Sequence, residues 1–154
     1  MKINLYAFRA IYLHEMDRFR RTLTQSVLSP VLTTSLYFIV FGSVIGGYVE
    51  KIDGISYGSY IVPGLLMLTL LTQSISNTSF GIFFPKFNGT IYEILAAPIS
   101  TLEVVLAFVG AGATKTLIVS IIIFITSLFF VDVQVKYPLL MIFLLILVAF
   151  TFAL

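Results

Sequence analysis

The stretch GISYGSYIVPGLLMLTLLTQSISNTSFGIFFP, residues 54–85, contains no Asp, Glu, Lys or Arg. A helix rises 1.5 Å per residue, so about 20 residues cross a ~30 Å hydrocarbon core, and this run is longer than that. It reads as a membrane span opening near Tyr60, with Pro63 and Gly64 early in it, and returning near Phe84.

The flanking sequence repeats the pattern. Upstream, Thr22 to Val49 is uncharged; downstream, Val104 to Val131 is broken only by Lys115, and the run after Lys136 is still apolar at Leu154. The 154-residue chain is 59% hydrophobic and 10% charged. An ordinary soluble domain carries roughly 25% charged residues, so too little polar sequence remains to coat a core made of these runs. The expected fold is all-α, a polytopic transmembrane helix bundle. Residues 1-154 form a single transmembrane domain with spans at 27-48, 60-84, 104-131 and 138-154.

Residues 1-26 precede the first span. Leu5, Phe8, Tyr12, Met16, Phe19, Leu23 and Val27 recur at spacings of three and four and make one helical stripe. His14, Arg18, Arg21 and Gln25 lie opposite, with Arg9 and Arg20 at the flanks, where long stems can snorkel. This is the pattern of an amphipathic interfacial helix, for which an ordinary cytoplasmic cap is the alternative. The segment is not a cleaved signal peptide, because the apolar run after it is too long and lacks a small-residue cleavage pattern; Met1 is the expected start. Lys2, Arg9, Arg18, Arg20 and Arg21 precede the first span, whereas the following loop has only Lys51. The positive-inside rule therefore places the amino terminus in the cytoplasm.

Three features stand out inside the spans. Gly42 and Gly46 form a GxxxG pair that admits close helix approach, although such pairs also arise by chance. The later half of the second span holds Gln73, Ser74, Ser76, Asn77, Thr78 and Ser79. Hydroxyls can bond their own helix carbonyls, but Gln73 and Asn77, four apart on one face, are candidates for an interior or pathway-facing surface. Lys115 falls about one turn inside the cytoplasmic border and is expected to snorkel outward rather than serve a relay.

The cytoplasmic loop between the second and third spans carries its own helix. Asn88 and Gly89 turn the chain, Thr90 and Glu93 have capping-box spacing, and Pro98 ends the helix, giving Ile91 to Ala97. Ser100 and Glu103 repeat the box at the start of the third long helix. Connecting two spans needs only a few polar residues, so Ile91, Ile94 and Leu95 at this tip read as a docking surface. Before the fourth span, Pro138 follows a short outer loop.

Catalytic chemistry is missing from the pattern. The chain has no cysteine, and its one histidine is His14. Gly110 to Thr116 superficially resembles a phosphate-binding loop, yet Thr114 and Val109 stand where GxxxxGK[ST] requires glycine. There is no HExxH, no pair of intramembrane carboxylates and no basic nucleic-acid patch. No enzymatic site, metal site or nucleic-acid partner is expected.

Four segments in order carry a family resemblance: Leu36-Tyr37-Phe38-Ile39-Val40-Phe41-Gly42, Tyr60-Ile61-Val62-Pro63-Gly64, Glu93-Ile94-Leu95-Ala96-Ala97-Pro98 and Ser127-Leu128-Phe129-Phe130. With the amphipathic segment ahead of them, the chain resembles the permease subunits of ABC-2 type exporters, in the polysaccharide and drug exporter branch. The resemblance implies a half-transporter of the bacterial inner (plasma) membrane. Two permease subunits, here a homodimer, enclose the path of an exported substrate, and a separate cytoplasmic ABC ATPase subunit holds the ATP and Mg, so this chain binds no cofactor. The family's coupling helix matches 88-98, with Asn88, Gly89, Ile91, Glu93, Ile94, Leu95 and Pro98 toward the ATPase. Its interfacial helix matches roughly Leu5 to Gln25, with Phe8, Tyr12, Met16, Phe19, Arg18 and Arg21. Tyr92 stands where an acidic residue is common, and relatives continue through two further spans, so the chain is expected to be a fragment or a truncated product. The rival reading is a non-transporting membrane scaffold or regulatory subunit. A proton-coupled carrier is disfavoured, because no Asp or Glu lies within a span.

Overall fold

A computed structural model describes residues 4–41, 51–52, 54–131 and 135–154. The described chain is almost entirely helical: α1 Leu5–Arg21, α2 Leu23–Ile39, α3 Tyr57–Phe87, α4 Ile91–Ala96, α5 Thr101–Phe130 and α6 Pro138–Ala153. A two-stranded antiparallel ribbon, β1 Lys51–Ile52 and β2 Ile55–Ser56, precedes α3. Gly54 closes that ribbon at φ +82°, a conformation open to glycine because it has no Cβ.

Helix α5 is the axis of the bundle, with α1, α2, α3 and α6 packed around it. Its sequence explains this position. Ala107, Ala111, Gly112 and Ala113 are buried and small, so neighbouring backbones approach closely. One apolar cluster joins α1, α2, α3 and α5 through Phe19, Phe38, Val62, Leu66, Val119 and Ile123. A second joins α3, α5 and α6 through Leu70, Val109, Ala113, Leu145 and Ala149. Between these helices, the Ser74 hydroxyl donates to the Ala149 carbonyl at 2.7 Å.

Helices α3 and α5 are long and apolar enough to cross a bilayer, with mean hydropathy of 1.3 and 2.1. Only 22% of the apolar window of α3 is covered by protein. A soluble core helix of that composition would be covered, so these side chains face an apolar surrounding. Helix α6 is more apolar than either but has 16 residues. The outer end of the first expected span, with Gly42 and Gly46, lies outside the described residues.

Several local details differ from expectation. Pro30 is buried inside α2 instead of in a first turn, because that helix already starts at Leu23. Thr90 has helical torsions and donates its hydroxyl to the Pro85 carbonyl at 3.3 Å, so its box with Glu93 does not form. Gly89, at φ +78°, turns the chain, and the amides of Tyr92 and Glu93 bond back to Gly89 and Thr90 at 3.2 Å each, which starts α4 without a side-chain cap. The second box does form, with the Ser100 hydroxyl accepting from the Glu103 amide and Glu103 accepting from the Ser100 amide. Pro138 occupies the first turn of α6, as expected.

Candidate functional site

Two features could carry function, the elbow between α3 and α5 and the junction where α1 meets them. At the elbow, α4 is a helix of six residues with none of them buried. Ala97 is extended because the residue before Pro98 avoids the helical region, and this ends α4. Ile91 and Ile94 are half-buried, whereas Tyr92 and Leu95 are 73% and 64% exposed. The exposed apolar pair is therefore Tyr92 with Leu95, not Ile91 with Ile94, since α4 leans on α3 and covers one of its own faces. Glu93 stands beside them, exposed.

Helix α1 lies along α5. Its amide at Asn4 donates to Glu103 Oε1 at 2.6 Å, and the Tyr12 hydroxyl donates to Thr114 Oγ1 at 3.1 Å. Gly110 leaves room for the rings of Phe8 and Tyr12. Phe19 is buried in the first apolar cluster with Met16 packed beside it. The stripe of Phe8, Tyr12, Met16 and Phe19 thus meets protein, where a lipid-facing stripe was expected. The reason is that α5 offers a groove of small residues along which aromatic side chains can lie. The Asn4 and Ser100 amides, both donating to its carboxylate, hold Glu103 below the usual carboxylate range, against the effect of desolvation.

At the junction, Lys115 Nζ donates to Glu15 Oε2 at 2.6 Å and Arg18 Nη1 donates to Glu15 Oε1 at 3.1 Å. Glu15 and Lys115 are 2% and 4% exposed. The Lys115 stem does not snorkel. A carboxylate within hydrogen-bond reach satisfies the ammonium where it stands, which an outward path to water would do only by unpacking α5. The Arg18 guanidinium lies 5.3 Å from the centre of the Phe80 ring and 5.7 Å from that of Phe84, both on α3. Beside the cluster, α3 and α5 cross so closely that a Cβ on Gly112 would collide with the Thr78 hydroxyl.

Decisive for identity is that a profile of the ABC-2 type transporter family matches residues 6–154. The chain belongs to the ABC-2 type transporter family.

Among curated relatives, the inner membrane transport permease YadH of Escherichia coli strain K12 is 38% identical over 135 residues, which cover 88% of this chain and 53% of YadH. The YadH proteins of Escherichia coli O157:H7 and Shigella flexneri match to the same extent. The chain therefore spans about half the length of the curated relatives it matches. No solved structure matches it. The family and the long apolar helices together make it a membrane protein.

Within this ABC-2 chain the pathway candidates separate. Asn77 is half-buried and donates its amide to Thr116 on α5 at 3.4 Å, while Gln73 is half-buried on α3. Neither lines the cavity of about 1130 Å³ near the start of α3, which is bounded by Tyr60, Pro63, Phe124, Lys136 and Tyr137. Among the neighbouring hydroxyls, Thr69 and Thr72 bond their own helix carbonyls, whereas Ser74 reaches across to α6. Arg21 ends α1 exposed.

Glu15 was missed from sequence. The signal was there, because Glu15 sits one residue from the stripe position Met16 and three from Tyr12, an acidic side chain on an otherwise apolar face. Lys115, the lone charge of an apolar run, is its natural counterpart.

Proposed function

We propose that this chain is the membrane-spanning part of an ATP-driven exporter subunit, with α4 as the contact through which a separate cytoplasmic ATPase acts. The observation that carries this reading is the uncovered face of α4. Tyr92 and Leu95 project at the tip of the α3–α5 hairpin, on a helix with defined ends, in a chain whose family is that of ABC-2 transporters. A short helix passes on displacement that a flexible loop would absorb, and exposed apolar side chains at a membrane hairpin's tip need a partner surface.

In this reading the chain crosses the inner membrane four times, with α2 and α6 joining α3 and α5, and its amino terminus and α4 are cytoplasmic. Asn88, Gly89, Ile91, Glu93, Ile94 and Pro98 build the elbow that presents Tyr92 and Leu95. The basic residues Arg20 and Arg21 at the end of α1 lie at the lipid headgroups, with Leu5, Tyr6 and Leu13 as the exposed apolar side of an interfacial helix. Two permease subunits enclose the substrate path, and Gln73 and Asn77 contribute polar groups to its wall. The substrate is an exported molecule, and ATP and Mg belong to the ATPase.

The test is recovery of the ATPase with the complete subunit. Tyr92→Asp with Leu95→Asp puts two charges on the docking face and should weaken the complex by about 3 kcal/mol, roughly a hundredfold, with insertion retained. Full recovery of the ATPase with this variant would remove α4 from the contact. An ATPase whose turnover is indifferent to the subunit would favour the scaffold reading.

A further inference from the structure

We infer that Glu15 is a positioning residue, a single carboxylate that holds α1, α3 and α5 in fixed relation so that displacement of α4 is passed on to α5. The inference rests on the proposed contact between α4 and an ATPase, and goes beyond it by naming the group that carries motion away from that contact.

Three observations point to this role. First, the two oxygens of Glu15 have different partners: Oε2 takes Lys115 from α5, and Oε1 takes Arg18 from its own helix. Second, Arg18 rests on Phe80 and Phe84 of α3, which stack on each other with ring centres 5.3 Å apart. Phe84 adjoins Pro85, whose carbonyl accepts from Thr90 at the root of α4, so the rings sit where α3 leads into the elbow. Third, Gly81 of α3 faces the same carboxylate, since a Cβ built there would lie 3.6 Å from Glu15 Oε2 and 3.4 Å from Phe108 of α5. From Phe84 and Phe80 through Arg18, Glu15 and Lys115 to α5 the path is made of neighbours in contact, and the chain at Pro85, bonded to Thr90, joins Phe84 to α4.

The chemistry requires a carboxylate. Two oxygens, both acceptors, each meet a cation, and an amide in the same place would turn a donor toward one of them. Burial strengthens the requirement, because neither Glu15 nor Lys115 has water to fall back on. A pair that only held α5 in the bilayer would need Lys115 and Glu15 alone, with no use for the Arg18 branch over α3. The branch is what separates positioning from simple neutralisation.

The experiment uses the complete subunit assembled with its ATPase, reading thermal stability, ATPase recovery, and ATP turnover per assembled complex. Arg18→Gln breaks the branch and leaves the buried pair. It should keep stability and ATPase recovery close to the parent, while turnover falls roughly tenfold, equivalent to ~1.4 kcal/mol. Glu15→Gln should lose turnover at least as far. Reversing the pair, Glu15→Lys with Lys115→Glu, rebuilds one ion pair but sets Arg18 against a like charge, so stability should recover while turnover stays low. Turnover that follows stability through all three variants would overturn the inference and leave a structural ion pair. Failure of the underlying reading looks different: the ATPase is then recovered undiminished with the Tyr92→Asp and Leu95→Asp subunit, and the positioning role falls with it, as no push would enter at α4.

Discussion

Glu15 and Lys115 are 100 residues apart in sequence, yet the Lys115 ammonium donates to the Glu15 carboxylate at 2.6 Å with both side chains buried. The pair resolves what would otherwise be a lone charge in an apolar helix. It also fixes α1 against the bundle, because Glu15 cannot leave α5 without stranding two charges away from water.

A snorkelling lysine would make its replacement nearly silent. A buried pair makes the opposite forecast: Glu15→Leu alone should lower stability in detergent by about 3–5 kcal/mol, because it strands the Lys115 ammonium, and Lys115→Met alone should cost clearly less than that but not be silent, because Glu15 keeps Arg18. The double variant should lose clearly less than the sum, since no fully buried charge is left alone and the partly exposed Arg18 can still reach water. The midpoint of denaturation by sodium dodecyl sulfate, measured for the four proteins of the cycle, decides the matter, and additive losses would rule out the pair.

Phe19 distinguishes a bundle helix from a surface anchor. It is 4% exposed and packs with Phe38, Val62 and Ile123. Phe19→Ala should therefore destabilise the folded chain by about 3–5 kcal/mol. Leu13→Ala, at a position 45% exposed, should change stability by less than about 0.5 kcal/mol. Equal effects of the two would mean that the stripe does not pack on α5.

The crossing of α3 and α5 depends on the missing side chain at Gly112. Gly112→Ala should overpack that contact at a loss of about 1–3 kcal/mol, because its methyl group meets the Thr78 hydroxyl. Adding Thr78→Ala removes the obstructing oxygen and should restore part of the loss. A Gly112→Ala protein as stable as the parent would show that the helices stand further apart.

Orientation can be read chemically, as the chain has no cysteine of its own. Single cysteines in place of Lys2, Glu93 or Leu154 should resist a membrane-impermeant thiol reagent in intact cells, and those replacing Asp53 or Gln134 should react. The forecast follows from four crossings and the excess of Lys and Arg before the first. Labelling at 93 without labelling at 53 would invert the topology.

Sequence alone determined the membrane character, the two long spans, the turn at Gly89, the Ser100–Glu103 box and the family. Each of these is written in neighbouring residues. Uncharged length sets whether a helix suits a bilayer, and a cap or turn is decided within four positions. Tertiary structure alone decided which way α1 faces, which side of α4 is free, and what Lys115 does. The stripe on α1 announces an apolar partner without saying whether that partner is lipid or the small-residue groove of α5, because both reward burial of the same side chains. Likewise a lysine one turn inside a span can reach outward to water or sideways to a carboxylate. Only the packing of α1 brings Glu15 near enough for the sideways choice, and electrostatic attraction, falling with distance and strengthened by burial, then settles it.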